Sequence, residues 1–333
     1  MRTPLSVRIA GIGRYLPARI VSTPEIVSSW NLPEDDWVSR TGVRERRYAD
    51  RRGGETASVM GAFAARDALA MAGIPLESID LIVNASGTVE QSIPDGGALL
   101  QRALGLGKSG VPAMSVHATC MSFLAALEMV GPMIVAGRYR RVLVVSSDIG
   151  SAGLDPSDPE SAILFGDGAA AAILVPSEES SSAILSSHFE TYGIDSGLAC
   201  VEGGGTRNHP NDEDVSPRQN LFHMRGPELL RHVLARARPF LRRLFEGLDP
   251  EVLSNSLLVP HQPSIAGIRM LHSLGFEEER VVTTLETLGN CVAASIPMTL
   301  YEAISSGRAQ RGGTLICVGT GAGVSLGGTV LRY

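Results

Sequence analysis

Three residues spread along this 333-residue chain have the types needed for acyl-transfer chemistry: Cys120, His261 and Asn290. An ionised thiol is a nucleophile, while an imidazole and a carboxamide can each donate a hydrogen bond to an oxygen on which negative charge develops. An apolar, β-branched approach from Val111 to Val116 runs into a small-residue turn before Cys120, and Phe123, Leu124, Leu127, Val130 and Ile134 then recur at helical spacing. This pattern sets the thiol at a helix N-terminus, where unpaired N–H groups and the helix dipole favour the thiolate. Position alone also fits a buried structural cysteine, a loop histidine at 261 and a helix cap at 290. His117, three residues before the thiol, reads as a packed strand residue rather than a second base.

The elements that must position these residues occur twice. A helical run from Thr56 to Ala72 ends at Gly73 and is followed by the buried strand Leu81-Ile82-Val83. Leu229 to Phe245 ends at Gly247 and is followed by Leu257-Leu258-Val259, which opens into Pro260-His261-Gln262-Pro263. After the Cys120 helix comes Val142-Leu143-Val144-Val145-Ser146, and after the Asn290 helix comes Leu315-Ile316-Cys317-Val318-Gly319. The two series are offset by roughly 170 to 175 positions, as an ancient duplication would leave them. Each half closes with a glycine-punctuated strand, from Phe165-Gly166-Asp167-Gly168 and from Gly319-Thr320-Gly321-Ala322-Gly323. The pattern is α/β with largely parallel sheets, and the serine-rich stretch Pro176 to Ser182 divides a cysteine-bearing half, 1–176, from a half, 183–333, that carries His261 and Asn290.

A net charge of −6 and 5% aromatic residues argue against a nucleic-acid binder, since phosphate neutralisation needs a basic surface. The longest apolar stretch, Phe123 to Ala136, is broken by Glu128 and Pro132, so no membrane partner and a cytoplasmic location are expected. Four scattered cysteines, Cys120, Cys200, Cys291 and Cys317, form neither a metal pattern nor a disulfide framework. Gly11-Ile12-Gly13 lacks the third glycine of a dinucleotide loop and is discounted. The arginine-dense run from Glu34 to Arg47 and the polar stretch Asn208 to Ser216 read as solvated surface.

In strands that alternate with helices, reactive groups gather where strand ends meet helix starts, so the three loops can converge on one pocket. Together with Trp37, Arg40-Thr41-Gly42-Val43-Arg44-Glu45-Arg46, Phe165-Gly166-Asp167-Gly168-Ala169, Gly203-Gly204-Gly205, His261-Gln262, Gly289-Asn290, Ala294-Ser295-Ile296-Pro297 and the final glycine loop, they resemble the thiolase-fold condensing enzymes, in particular the β-ketoacyl-acyl-carrier-protein synthase III group. The likeness covers nearly the whole chain. It implies a five-layer αβαβα sandwich of two duplicated halves, a homodimer, and thioesters of coenzyme A or acyl carrier protein as partners, with no cofactor and no metal.

By the same resemblance Cys120 takes the acyl group from a thioester, while His261 and Asn290 hydrogen-bond the thioester carbonyl of the incoming nucleophile. The N–H of Cys120 and one from the Gly321-Ala322-Gly323 loop would serve the acyl carbonyl. Trp37, with Arg40 in the same motif, matches the tryptophan that stacks on the adenine of coenzyme A, but the arginine of its other face is replaced near Pro159-Glu160. Ser264 and Ala266 stand where the family has an asparagine and an arginine that touch the pantetheine arm and the carrier. Ala322 stands where a third central glycine is usual, a departure shared with enzymes that join two acyl chains head to head. Those enzymes also carry a glutamate base in the loop that crosses the dimer, and Glu90 is the candidate for it here. The leading expectation is a Claisen condensation. Head-to-head joining, acyl transfer to a hydroxyl or amine, and a non-catalytic acyl-binding subunit are the alternatives. Arg231, Arg236, Arg238, Arg242 and Arg243 offer docking charge for an acidic carrier protein, or else solvate a helix.

Overall fold

Strand alternation sets the layers. In the strand Val142–Ile149, Val142 and Val144 enter one core while Leu143 and Val145 enter another, because successive side chains of a strand point to opposite faces. A sheet that is apolar on both faces needs helices on both. The computed structural model, which describes residues 3–33, 35–177 and 182–333, supplies them in five layers. Met1, Arg2, Glu34 and the middle of the expected Pro176–Ser182 boundary lie outside the described residues. Helices Ala57–Ala72 and Gly96–Ala103 cover the outer face of the first sheet, and Gly226–Leu244 and Ile265–Ser273 cover that of the second. Helices Ser122–Val135 and Ser295–Ser305 fill the space between the sheets.

The first sheet runs in the order Val7–Tyr15, Asp167–Pro176, Val142–Ile149, Leu81–Asn84, Ala113–Ser115. The second runs Ala183–Thr191, Ser325–Arg332, Thr314–Gly321, Leu257–Pro260, which repeats the first four places of the other. Ala113–Ser115 has no counterpart and stands at an edge. The expectation of largely parallel sheets is corrected: four of the seven strand pairings in these two sheets are antiparallel. Ser325–Arg332 follows Thr314–Gly321 through a tight turn, with no crossover helix to reverse the chain, and such a connection must pair antiparallel.

Close packing explains the early glycines. Gly11 and Gly13 lie within the strand Val7–Tyr15, and a Cβ on Gly13 would sit 2.2 Å from the Ala64 carbonyl oxygen of the covering helix. They serve contact between helix and strand, not a phosphate. The arginine run is not all solvated surface either. Arg46 is wholly buried, and its guanidinium donates to Val21 O at 3.2 Å, Thr23 Oγ1 at 2.9 Å and Ile163 O. Burial without a carboxylate partner lowers its pKa to about 10. Among the described residues no helix is long and apolar enough to cross a membrane.

Candidate active site

Cys120 lies in a turn between the edge strand Ala113–Ser115 and the helix Ser122–Val135. Ser122 closes that turn: its Oγ accepts from Ala118 N at 3.0 Å and donates to Thr119 O at 2.6 Å. Thr119 is held at φ 50°, a left-handed conformation that a β-branched residue adopts only when its surroundings force it. The final glycine loop supplies part of that force from the other half of the chain. A Cβ on Gly321 would sit 2.6 Å from Thr119 Oγ1, and one on Gly319 would sit 2.6 Å from both Met121 Cε and His261 Cβ. Gly319 thus lies between the residue after the thiol and the histidine, which brings Cys120 and His261 to one place.

His261 follows the strand Leu257–Pro260 and donates its backbone N–H to Val318 O at 2.8 Å. The side chain of Gln262, wholly buried, fixes this exit by donating to Pro260 O at 3.0 Å and accepting from Thr284 N at 3.2 Å. Asn290 is tied to the Phe165 loop, donating its N–H to Leu164 O at 2.7 Å. Its side-chain Oδ1 accepts from Val292 N at 2.9 Å, so the amide NH2 is left as the donor for a ligand. Asn290 and Thr320 line a largely apolar cleft of about 310 Å³ with Trp37, Leu164, Met224 and Leu229. A smaller recess of about 50 Å³, which shares Thr320 and Pro263 with the cleft, is lined by His261.

Electrostatics differ from the sequence-based expectation of a thiolate. The Cys120 thiol is pushed up to about 12, first by burial and then by the Asp148 carboxylate; the N–H groups of Cys120 and Ala322, aimed at the sulfur, pull it down by less. Near neutral pH the Cys120 side chain is therefore a protonated thiol. Burial lowers His261 to about 4, and its Nδ1 has no partner among the described residues, so near neutral pH the ring is an uncharged donor.

Residues 114–193 match the family described as 3-oxoacyl-[acyl-carrier-protein (ACP)] synthase III, and residues 251–333 match its C-terminal counterpart. The β-ketoacyl-[acyl-carrier-protein] synthase III of Rhodospirillum centenum is 35% identical over 99% of this chain and 100% of its own length. The chain belongs to the β-ketoacyl-[acyl-carrier-protein] synthase III family. The crystal structure of the Aquifex aeolicus 3-oxoacyl-[acyl-carrier-protein] synthase III is 30% identical with a TM-score of 0.83, over 98% of this chain and 100% of that one. The priming β-ketosynthase of the R1128 polyketide pathway is 29% identical with a TM-score of 0.85, over 99% and 98% of the two chains. The chain is accordingly a ketosynthase of the thiolase fold, an acyltransferase-type condensing enzyme of fatty-acid or polyketide biosynthesis.

Trp37 is only 5% exposed, its indole N–H donates to Pro33 O at 3.0 Å, and the Arg40 guanidinium lies 4.8 Å from its ring centroid. Arg40 is itself ion-paired to Asp35 and Glu160, so an adenine could stack on Trp37 only by displacing it. Ser264 caps the helix Ile265–Ser273, accepting from Gly267 N at 3.3 Å, and lines the cleft. Ala322 contributes its N–H toward the Cys120 sulfur and its carbonyl to Thr119 Oγ1 at 3.3 Å. Glu90 accepts from Ser58 N at 2.7 Å at the start of helix Ala57–Ala72 and lines a separate pocket of about 150 Å³ with His117 and Ser147. His117 is exposed rather than packed, its Nε2 3.2 Å from Gly87 O, because the strand before it ends at Ser115. Of the five helix arginines, Arg236 pairs with Asp195 at 2.9 Å, Arg238 donates to Ser273 O at 3.1 Å and Arg243 pairs with Glu190, which leaves Arg231 and Arg242 for a partner. Sequence reasoning missed Asp148 as a site-shaping group and did not foresee the buried side chain of Gln262 that fixes the exit to His261. The signal for Asp148 was a carboxylate near the end of a largely apolar strand.

Proposed function

We propose that this chain performs a Claisen condensation on thioesters of coenzyme A or acyl carrier protein, with Cys120 as nucleophile and His261 and Asn290 as donors to the enolate oxygen. Cys120 attacks the acyl thioester, its proton leaves with the departing thiol, and the N–H groups of Cys120 and Ala322 take the charge on the tetrahedral oxygen. A malonyl thioester then loses carbon dioxide. The resulting enolate, held by the Asn290 NH2 and the His261 ring, attacks the acyl carbonyl and expels Cys120. The observation that carries this reading is the donor pair: a histidine with its pKa near 4 is a poor base at neutral pH, and Asn290 has its oxygen occupied. Acyl transfer to a hydroxyl or amine would need a base there, whereas an enolate needs two donors.

The reading includes two thiolase-like halves, 1–176 and 183–333, a homodimer and a cytoplasmic setting. The edge strand Ala113–Ser115 and the half-exposed Met114 on it support self-pairing. The test is mass spectrometry of protein and products. An acyl-coenzyme A should add its acyl mass to the wild-type protein but not to Cys120→Ala. A malonyl carrier should then yield the β-ketoacyl product. Asn290→Ala should keep the adduct while condensation falls by about 100-fold, the usual loss for one oxyanion donor. An undiminished adduct in Cys120→Ala, or full condensation without Asn290, overturns the assignment.

A further inference from the structure

Asp148, next to last in the strand Val142–Ile149, is wholly buried and has no cationic partner among the described residues. Its carboxylate instead collects four hydrogen bonds from two other segments. Oδ1 accepts from Gly87 N at 2.8 Å, Thr88 N at 2.6 Å and Thr88 Oγ1 at 2.9 Å, and Oδ2 accepts from Ala294 N at 3.0 Å. A buried carboxylate is expensive to desolvate, so four donors from separate loops make a joint rather than an accident of packing.

What the joint holds is the site. A Cβ on Gly87 would lie 2.6 Å from Val292 Cγ1 and 3.1 Å from Thr119 O, so the Gly87 peptide is wedged between those two residues. Thr119 directly precedes Cys120, and Val292 donates the N–H that fixes Asn290 Oδ1. Both are β-branched and both are held at φ 50°. Strain of this kind costs on the order of 1–3 kcal/mol per residue and persists only where neighbours over-determine it. Gly87 on one side and Ala294 on the other are those neighbours, and Asp148 binds both.

We propose that Asp148 is the positioning residue of this site: it clamps the Gly87–Thr88 loop to the Ala294 turn and fixes the strained turns of Cys120 and Asn290 relative to each other. Its carboxylate also opposes charge on the Cys120 sulfur. The proposal rests on the condensing-enzyme reading for its turnover arm alone. Asp148 is the charged group that acts on the Cys120 thiol, with His261 uncharged beside it. Its other thiol neighbour, Cys291, also feels Asp167 and Arg14.

Asp148→Asn keeps the shape, but its amide NH2 meets the Ala294 N–H or takes the place of an acceptor for Gly87 and Thr88. Two readouts test it. The first is the rate of Cys120 alkylation by iodoacetamide, read by peptide mass spectrometry, which needs no substrate. Burial raises Asp148 to about 6, so variant and wild type should react alike at pH 5, where both carry a neutral group. At pH 8 the variant should react at least about threefold faster, since a nearby like charge no longer opposes the thiolate. The second readout is condensation, where kcat should fall at least about tenfold, with acyl loading complete and KM within about twofold of wild type. A wild-type alkylation profile, or a wild-type kcat, overturns the proposal. If the wild type itself loads no acyl group, the ketosynthase reading fails while the alkylation arm still tests the carboxylate. Should Asp148→Asn not fold, Thr88→Val removes one of the four bonds and keeps the charge; kcat at least about threefold lower with normal loading is then expected, and a wild-type kcat is the overturning result.

Discussion

At the scale of single residues, His261 ties chemistry to stability. Its pKa falls from 6.5 to about 4 in the folded chain because the cation is desolvated. A depressed folded value means that the unfolded chain takes up the proton first on acidification, so the stability contributed by the neutral ring is full above 6.5 and is lost as pH falls toward 4. The difference corresponds to about 3 kcal/mol. Asp148 works in the opposite sense: its folded value is raised from 3.8 to about 6, so the native state binds its proton first and gains stability as pH falls through that window. His261→Asn should therefore gain about 3 kcal/mol relative to wild type between pH 7 and pH 4, read by urea unfolding at each pH. A constant difference across that range would remove the buried-imidazole account. Glu90 poses a separate question. Its carboxylate accepts from the first turn of a helix in its own chain, so a base role at Cys120 would require delivery to a second copy. Glu90→Gln is expected to lower the melting temperature slightly through the weakened helix start and to leave malonyl-dependent condensation intact. Loss of product from two acyl chains alone would instead make Glu90 the base of head-to-head joining.

At the scale of elements, the helix Gly226–Leu244 divides its arginines between internal ties and free charge. Arg243 lies against Glu190, itself bonded to His188 at 2.8 Å and to Tyr192, and Arg236 packs 4.1 Å from the Tyr192 ring centroid. Reversing Arg243 to glutamate should destabilise the chain by placing like charges together. Reversing Arg231 and Arg242 should leave stability within about 0.5 kcal/mol, as surface changes usually do. If these two meet an acidic carrier, the double reversal raises KM for carrier-bound substrate and spares coenzyme A thioesters, with the difference fading at high salt. Equal effects on both substrates would leave the helix as solvated surface.

At the scale of the whole molecule, the first sheet ends on Ala113–Ser115, and the adjacent loop presents Val89 and Ile93 at 75% and 86% exposure. Large apolar side chains so exposed beside an open strand edge support the proposed homodimer face. Sedimentation at micromolar concentration should give twice the 35.2 kDa chain mass, and Met114→Glu combined with Ile93→Asp should shift it to a single chain. A single-chain wild type would count against the dimer.

The sequence by itself determined the α/β class and the twofold repeat of elements, while the five layers and the candidate reactive groups came from its resemblance to the condensing enzymes. The class and the repeat follow from local pattern: strand and helix periodicity and the repeated order of elements. Cys120, His261 and Asn290 stood out as candidates because each lies at the end of an element within a motif that resembles the condensing enzymes. Only the tertiary structure decided their ionisation and orientation. The Cys120 thiol stays protonated first because the fold buries it and then because the Asp148 carboxylate opposes its charge, and Asn290 presents NH2 because Val292 takes its oxygen. Arg46 looked like surface among other arginines and proved to be core. Strand direction was likewise hidden, since periodicity marks a buried strand without saying which way its partner runs. Burial and charge at a distance are sums over residues brought together from both halves of the chain, and no local window contains them.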